Sequence, residues 1–193
     1  KDTDPLLALF ASHLSQLISG PPIWLFLVAP PGGAKTEMVT ALSLLDQTYM
    51  TSSLTPHALI SGASTKGTED PSLIPRLNGR VMVIKDFTAI LAMRDPEKDE
   101  IFGILRDAYD GRCGKVFGTG IERSYKSRFT IIAAVTPRIY DLSSQHTSLG
   151  ERFLKLSGGD NLVHSNEQDI ISRAIDNIAR ESDMKWELSD VTR

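Results

Sequence analysis

Between the apolar run Ile23-Trp24-Leu25-Phe26-Leu27-Val28 and a stretch of helical periodicity lies Ala29-Pro30-Pro31-Gly32-Gly33-Ala34-Lys35-Thr36. These residue types at this spacing suit one chemistry, the grip of a chain of phosphates. Glycines let backbone N–H groups converge on phosphate oxygens, and a helix starting directly afterwards turns its positive end the same way. Lys35 brings a cation to the outer phosphates, and Thr36 brings a hydroxyl to a magnesium ion that bridges them. An ordinary strand-to-helix turn can carry the same letters, so the assignment rests on the strand before and the helix after.

A carboxylate and a basic segment are the other candidates. Val81-Met82-Val83-Ile84 reads as a strand, and Asp86 follows at its C-terminal end, where open α/β sheets bind ligands; a carboxylate there suits magnesium. The alternative is an Asp that caps the segment after it. From Gly111 to Arg128, Arg112, Lys115, Arg123, Lys126 and Arg128 face a single acid, Glu122, with Phe117 and Tyr125 interleaved. Glycines flank the short runs there, predicting a hairpin that contacts nucleic-acid phosphates and stacks on bases, or one whose cations only protect exposed strand edges. His13, His57, His146 and His164 show no metal-ligand spacing.

The elements that must position these residues alternate. Leu7, Phe10, Leu14, Leu17 and Ile18 recur at helical spacing between Asp4-Pro5 and Gly20-Pro21-Pro22, predicting an amphipathic helix with that set facing the core. Ile23 to Val28 is apolar without alternation, as in a strand covered on both faces of a parallel sheet. A helix over Thr36–Leu45 and a weak strand near Ala58–Ser61 follow, then a polar loop to Gly79 and the strand Val81–Lys85. Asp95-Pro96 opens a helix lined by Ile101, Ile104, Leu105 and Ala108. Phe129 to Val135 is a further strand, ended by Pro137, and Phe153–Leu156 is the last. Ser165 to Gln168 forms a capping box before a helix carrying Ile171, Ala174, Ile175 and Ile178. The class is α/β, with a mainly parallel sheet flanked by helices.

The loop resembles the GPPGxGKT phosphate loop of AAA+ ATPases, with Pro30, Pro31, Gly32, Lys35 and Thr36 in register and Ala29 and Ala34 in place of glycines. Ala34 tolerates a positive φ poorly. The family ends a second core strand with Asp-Glu, the Asp on magnesium and the Glu polarising water. Two alignments fit: Asp86 on magnesium with Phe87 where the base should be, or Asp86 as base with Lys85 in the metal position, which sets a cation against the metal. The resemblance makes Thr136, before Pro137, the sensor contacting the γ-phosphate or attacking water, although a threonine before proline is also a common strand end. It makes Arg152, in Leu149-Gly150-Glu151-Arg152-Phe153, an arginine finger that reaches a neighbouring subunit's site in a ring or filament. A surface salt bridge to Glu151 or another acid is the other reading of Arg152.

The runs Val83–Thr88, Leu105–Gly111, Ala134–Pro137 and Leu149–Phe153 together resemble ATP-binding proteins carried by phages and integrative mobile elements, over about Ile23 to Leu156. What the resemblance implies is an ATP-hydrolysing, magnesium-dependent core that works as a homo-oligomer; it says little about the substrate, and mechanical work on DNA is the expected output. A non-hydrolysing nucleotide switch or assembly module is the alternative. The family's helical lid is not evident after Leu156.

Composition bounds these readings. The 193 residues, 41% hydrophobic, fill one ordinary core, so a single domain is expected: a leading helix over 1–22, a nucleotide-binding core over 23–157 and a helical extension over 158–193. With 21 basic and 24 acidic residues, the net charge of −3 argues against a wholly basic nucleic-acid-binding surface. Cys113 is the one cysteine, which excludes an internal disulfide and fits the cytoplasm. The longest apolar run, Ile23 to Ala29, is far below the ~20 residues of a membrane-spanning helix. The start at Lys1 without a signal pattern predicts a piece of a longer protein.

Overall fold

A computed structural model describes residues 4–63, 70–141, 149 and 151–158. β1 (Trp24–Val28) is buried at every position and lies between two partner strands. Around it β2 (Thr48–Thr51), β3 (Val81–Ile84), β6 (Thr130–Val135) and β7 (Phe153–Ser157) complete a five-stranded sheet of order β2-β3-β6-β1-β7. Every pairing in it is parallel. β4 (Cys113–Val116) and β5 (Glu122–Tyr125) form a separate antiparallel hairpin.

The non-alternating strands have their physical reason in two covered faces. Trp24, Phe26 and Val28 turn to one face, where α6 (Asp95–Tyr109) packs with Ile101, Phe102, Ile104, Leu105 and Ala108. The Phe26 and Phe153 rings stack there, centroids 3.8 Å apart, and the indole N–H of Trp24 donates to the Phe129 carbonyl at 2.8 Å. Leu25 and Leu27 turn to the other face, against Leu9 of α1 (Asp4–Leu14) and Val39 of α2 (Lys35–Ala41). Short helices α3 (Pro56–Leu59), α4 (Leu73–Arg76) and α5 (Thr88–Leu91) complete the described chain with three 3₁₀ turns. Among the described residues no helix is long and apolar enough to cross a membrane.

Three expectations are corrected. Of the apolar set at the leading helix, Phe10 packs half-buried against the core, but Leu7, Leu14, Leu17 and Ile18 are 56% to 72% exposed, and Pro5, Leu9, Ser12 and His13 are buried instead. Tertiary hydrogen bonds set the rotation. His13 Nε2 meets Thr48 Oγ1 at 2.9 Å, Gln16 Oε1 accepts from Thr130 Oγ1 at 3.1 Å, and unmade buried polar bonds would cost about 1–3 kcal/mol each. The strand expected near Ala58–Ser61 is instead α3, because Thr55 caps it by accepting from the Ala58 N–H at 3.2 Å and Pro56 sets its first turn. The edge strand lies earlier, at β2, a half-buried four-residue run with little apolar signal. The helix over Thr36–Leu45 ends at Ala41 and continues as a 3₁₀ turn, Leu42–Leu44. The helix expected after Ser165 lies outside the described residues.

Candidate functional site

Parallel strands bring the candidate side chains to one edge. Past their C-terminal ends the ladders run on: Ala29 N–H donates to the Val135 carbonyl at 3.2 Å and Phe87 N–H to the Ala134 carbonyl at 2.8 Å. The loop after β1, Thr136 after β6 and Asp86 after β3 therefore leave the same edge in that spatial order. With about 4.8 Å between strands, Asp86 stands roughly 10 Å from the loop, and the end of β6 lies between them.

The loop adopts left-handed backbone at two alternate positions, Gly32 at φ 79° and Ala34 at φ 52°, ψ 10°. Ala34 thus takes the conformation that its methyl group disfavours, at a cost of about 1–2 kcal/mol. Gly33 sits in a tight place: a Cβ there would stand 3.0 Å from both the Ala29 methyl and the Pro30 carbonyl oxygen, and the loop would have to give by a few tenths of an ångström. That carbonyl accepts from the Gly33 N–H at 3.0 Å and from Lys35 Nζ at 3.1 Å, so the lysine folds back across the loop. Thr36 is exposed on the first turn of α2, and Pro31 is exposed on the loop. At seven residues α2 contributes a weak dipole, which leaves the loop amides and Lys35 as the main attraction for an anion.

Asp86 is exposed, and its Oδ1 accepts from the Thr88 N–H at 2.9 Å, so it does cap the segment after it. Its other oxygen keeps lone pairs for a cation. Phe87 is fully buried, 4.9 Å from the Phe26 ring, so its side chain lies in the core. Thr88, which the sequence did not point out, links the two strand ends: its Oγ1 accepts from the Thr136 N–H at 3.0 Å and lies 3.2 Å from Thr136 Oγ1. Beside them an open depression of about 670 Å³ is bounded by Pro31, Thr88, Thr136, Arg138, Tyr140 and Asp141. Arg138 is the second residue missed. No spacing rule marks it, because the fold alone brings it to the same depression as Pro31.

Arg152 lies elsewhere. It precedes β7, whose Phe153 pairs with Trp24, so it sits at the N-terminal edge, about 16 Å of strand away from the loop of its own chain. Its Nη2 donates to both Asp110 oxygens, at 3.0 and 3.2 Å, and its guanidinium lies 5.5 Å from the Tyr109 ring centroid. The acid it pairs with is Asp110, at the end of α6.

The hairpin exists as expected, but its cations have different duties. Arg128 is a structural latch: its guanidinium donates to the carbonyls of Gln16, Ile18 and Gly20 at 2.7 to 3.1 Å, fixing the end of the leading helix. Lys115 pairs with Glu100 and lies over the Phe117 ring. Arg123 pairs with Asp70 at 3.3 Å and donates to the Ala63 carbonyl. Arg112 and Lys126 are exposed and make no ion pair among the described residues. Phe117 lies flat on Gly62, where any Cβ would stand 2.4 Å from its ring, so the hairpin tip is seated on the segment after α3.

The hairpin base is held by a polar knot. The Tyr125 hydroxyl donates to Asp70 and lies 2.9 Å from Ser72 Oγ, and the Ser72 N–H donates to Asp70 at 3.0 Å. Partial burial pushes the Asp70 carboxyl upward, but the bonds from Tyr125 and Ser72 and the Arg123 charge outweigh it and hold the group below its ordinary 3.8. Burial, and then the bond to Asp70, raise the Tyr125 phenol above 10.0. The carboxyl is easier to ionise folded than unfolded, so its contribution is present above the ordinary carboxylate range and is lost as pH falls through the lowered value. Tyr125→Phe is therefore expected to cost about 1 kcal/mol in urea unfolding at pH 7, with the gap to the unmutated chain closing as pH falls below the ordinary carboxylate range. A gap independent of pH would mean the phenol acts through packing alone. Burial, and then Asp107, raise the Cys113 thiol from 9.0 to about 11, which leaves it protonated and a poor nucleophile.

Magnesium would find its protein ligands only together with phosphates. Among the described residues no three His, Cys, Asp or Glu side chains cluster to hold a metal; Thr36 and Asp86 offer oxygen atoms of the hard type that magnesium takes, and the oxygens of a bound phosphate would have to complete the set. In comparisons with known proteins, no family model matches this chain and no curated protein is significantly similar to it.

Proposed function

We propose that this chain is an AAA+-like P-loop core that binds ATP with magnesium and hydrolyses it, as a homo-oligomeric motor acting on DNA in a phage or mobile-element process. The observation that carries the reading is the shared sheet edge: the loop 29–36, Thr136 and Asp86 come from three separate segments and meet at the C-terminal ends of neighbouring parallel strands. The loop amides and Lys35 hold phosphates, Thr36 and Asp86 hold magnesium, and Thr136 orients the terminal phosphate or the attacking water. Magnesium supplies charge neutralisation when bound. The buried, protonated thiol of Cys113 suits the reducing cytoplasm.

One observation favours the second reading, a nucleotide switch that does not hydrolyse. The position after Asp86 is Phe87, turned into the core, and Asp86 itself accepts from the Thr88 N–H, so the position to which the family gives its water-polarising glutamate holds no carboxylate. Turnover of MgATP with and without DNA separates the two: a motor core releases phosphate faster when DNA is present, and a switch binds ATP without release.

The DNA part of the reading rests on the exposed cations Arg112 and Lys126. Replacing both by alanine is expected to weaken binding to DNA of any sequence and to flatten the plot of log affinity against log salt by up to about two units. Because neither side chain is tied into the fold, stability should stay within about 0.5 kcal/mol. An unchanged salt slope would reduce the hairpin to a solvated edge.

A further inference from the structure

The depression beside the phosphate loop contains a cation that the reading above does not use. Arg138 stands on the 3₁₀ turn Pro137–Asp141, directly after Thr136 and Pro137. The turn is well anchored: Ile139 is 2% exposed and its N–H donates to the Thr136 carbonyl at 3.1 Å, while proline fixes φ at the residue before Arg138. Arg138 itself is exposed, lines the depression together with Pro31, and makes no hydrogen bond or ion pair among the described residues. Asp141 follows three positions later, where a 3₁₀ helix eclipses side chains, yet the two do not pair.

The geometry points to Arg138 as the group of this chain that reads the terminal phosphate of the bound nucleotide. This rests on the phosphate-loop reading and deepens it. Phosphates held by the loop extend from β1 toward the end of β6, since Thr136 and Asp86 lie in that direction. The outermost group of a triphosphate then reaches the depression that Pro31, Thr136 and Arg138 line together. A planar guanidinium with several donors meets two phosphate oxygens at once, which a diphosphate, one group shorter, does not offer there. Arg138 therefore makes the site selective for triphosphate within a single chain. Arg152, at the N-terminal edge of β7, is too far from the loop of its own chain for that task.

The test is titration of the unmutated chain and of Arg138→Ala, Arg138→Lys and Lys35→Ala with magnesium-ATP and magnesium-ADP, by calorimetry. Arg138→Ala is expected to weaken ATP about ten- to hundredfold, the size of a charge-assisted bond, and to leave ADP within about twofold. Arg138→Lys should recover part of the loss, because the charge returns without the fork. Lys35→Ala should lose both nucleotides. If Lys35→Ala loses both while Arg138→Ala weakens ATP and ADP equally, or neither, the inference about Arg138 is overturned and the phosphate loop stands. If the unmutated chain binds neither nucleotide, or Lys35→Ala binds both as well as it does, the loop reading fails and takes this inference with it.

Discussion

Lys35→Ala is expected to abolish magnesium-dependent ATP binding, by at least about two orders of magnitude, and to leave the unfolding transition where it was. The two halves of that expectation have separate causes. Lys35 Nζ has one recorded partner, the Pro30 carbonyl at 3.1 Å, and touches neither hydrophobic cluster, so its loss belongs with surface substitutions that change stability by about 0.5 kcal/mol or less. Its ammonium is the single basic side chain of the 29–36 segment, so nothing else in the loop replaces its charge against the outer phosphates. Calorimetry with magnesium-ATP beside a thermal melt checks both. A folded variant with unchanged ATP affinity would remove the phosphate-loop assignment and every role built upon it.

Where the sequence carried a continuous physical signal, the fold was legible. β1, β3 and β6 announce themselves because both faces are buried, and no polar residue interrupts Trp24–Val28, Val81–Ile84 or Ile131–Val135. The rotation of α1 was not legible, because its apolar periodicity points one way while the hydrogen bonds of His13 and Gln16, to partners on β2 and β6, point the other. Those partners lie 35 and 114 residues away in the chain, beyond any local pattern. β2 failed for a different reason: an edge strand of four half-buried residues has neither an apolar run nor clean alternation.

The same distinction separates the candidate site residues. Lys35, Thr36 and Asp86 stand next to strong strands and are found from neighbours in sequence. Thr88 and Arg138 are meaningful only after β3 and β6 lie side by side, since Thr88 meets Thr136 across 48 residues. Arg128 shows the converse error. In the sequence it is one more cation of a basic hairpin, and in the fold its guanidinium closes the carbonyl end of the leading helix. Charge counted along a segment does not distinguish a cation offered to solvent from one consumed by backbone carbonyls.

Arg152 tests whether the site is shared between chains. Its place at the N-terminal edge of β7 bars it from the loop of its own chain, which leaves two roles: an internal tie to Asp110 and Tyr109, or a donor to a neighbour. The tie joins a guanidinium that is 22% exposed to a carboxylate that is 56% exposed, so a change of partner requires a neighbouring chain to offer comparable contacts. Arg152→Ala is therefore expected to leave ATP affinity nearly unchanged and to lower turnover by a factor of about 10³, the low end for an arginine supplied in trans. Specific turnover of the unmutated chain should then rise with protein concentration. Mixing Arg152→Ala with Lys35→Ala should restore hydrolysis that neither shows alone, because one interface of the mixed assembly joins an intact loop to an intact arginine. Turnover that is independent of concentration, together with no recovery in the mixture, would leave Arg152 as a strut between β7 and the end of α6.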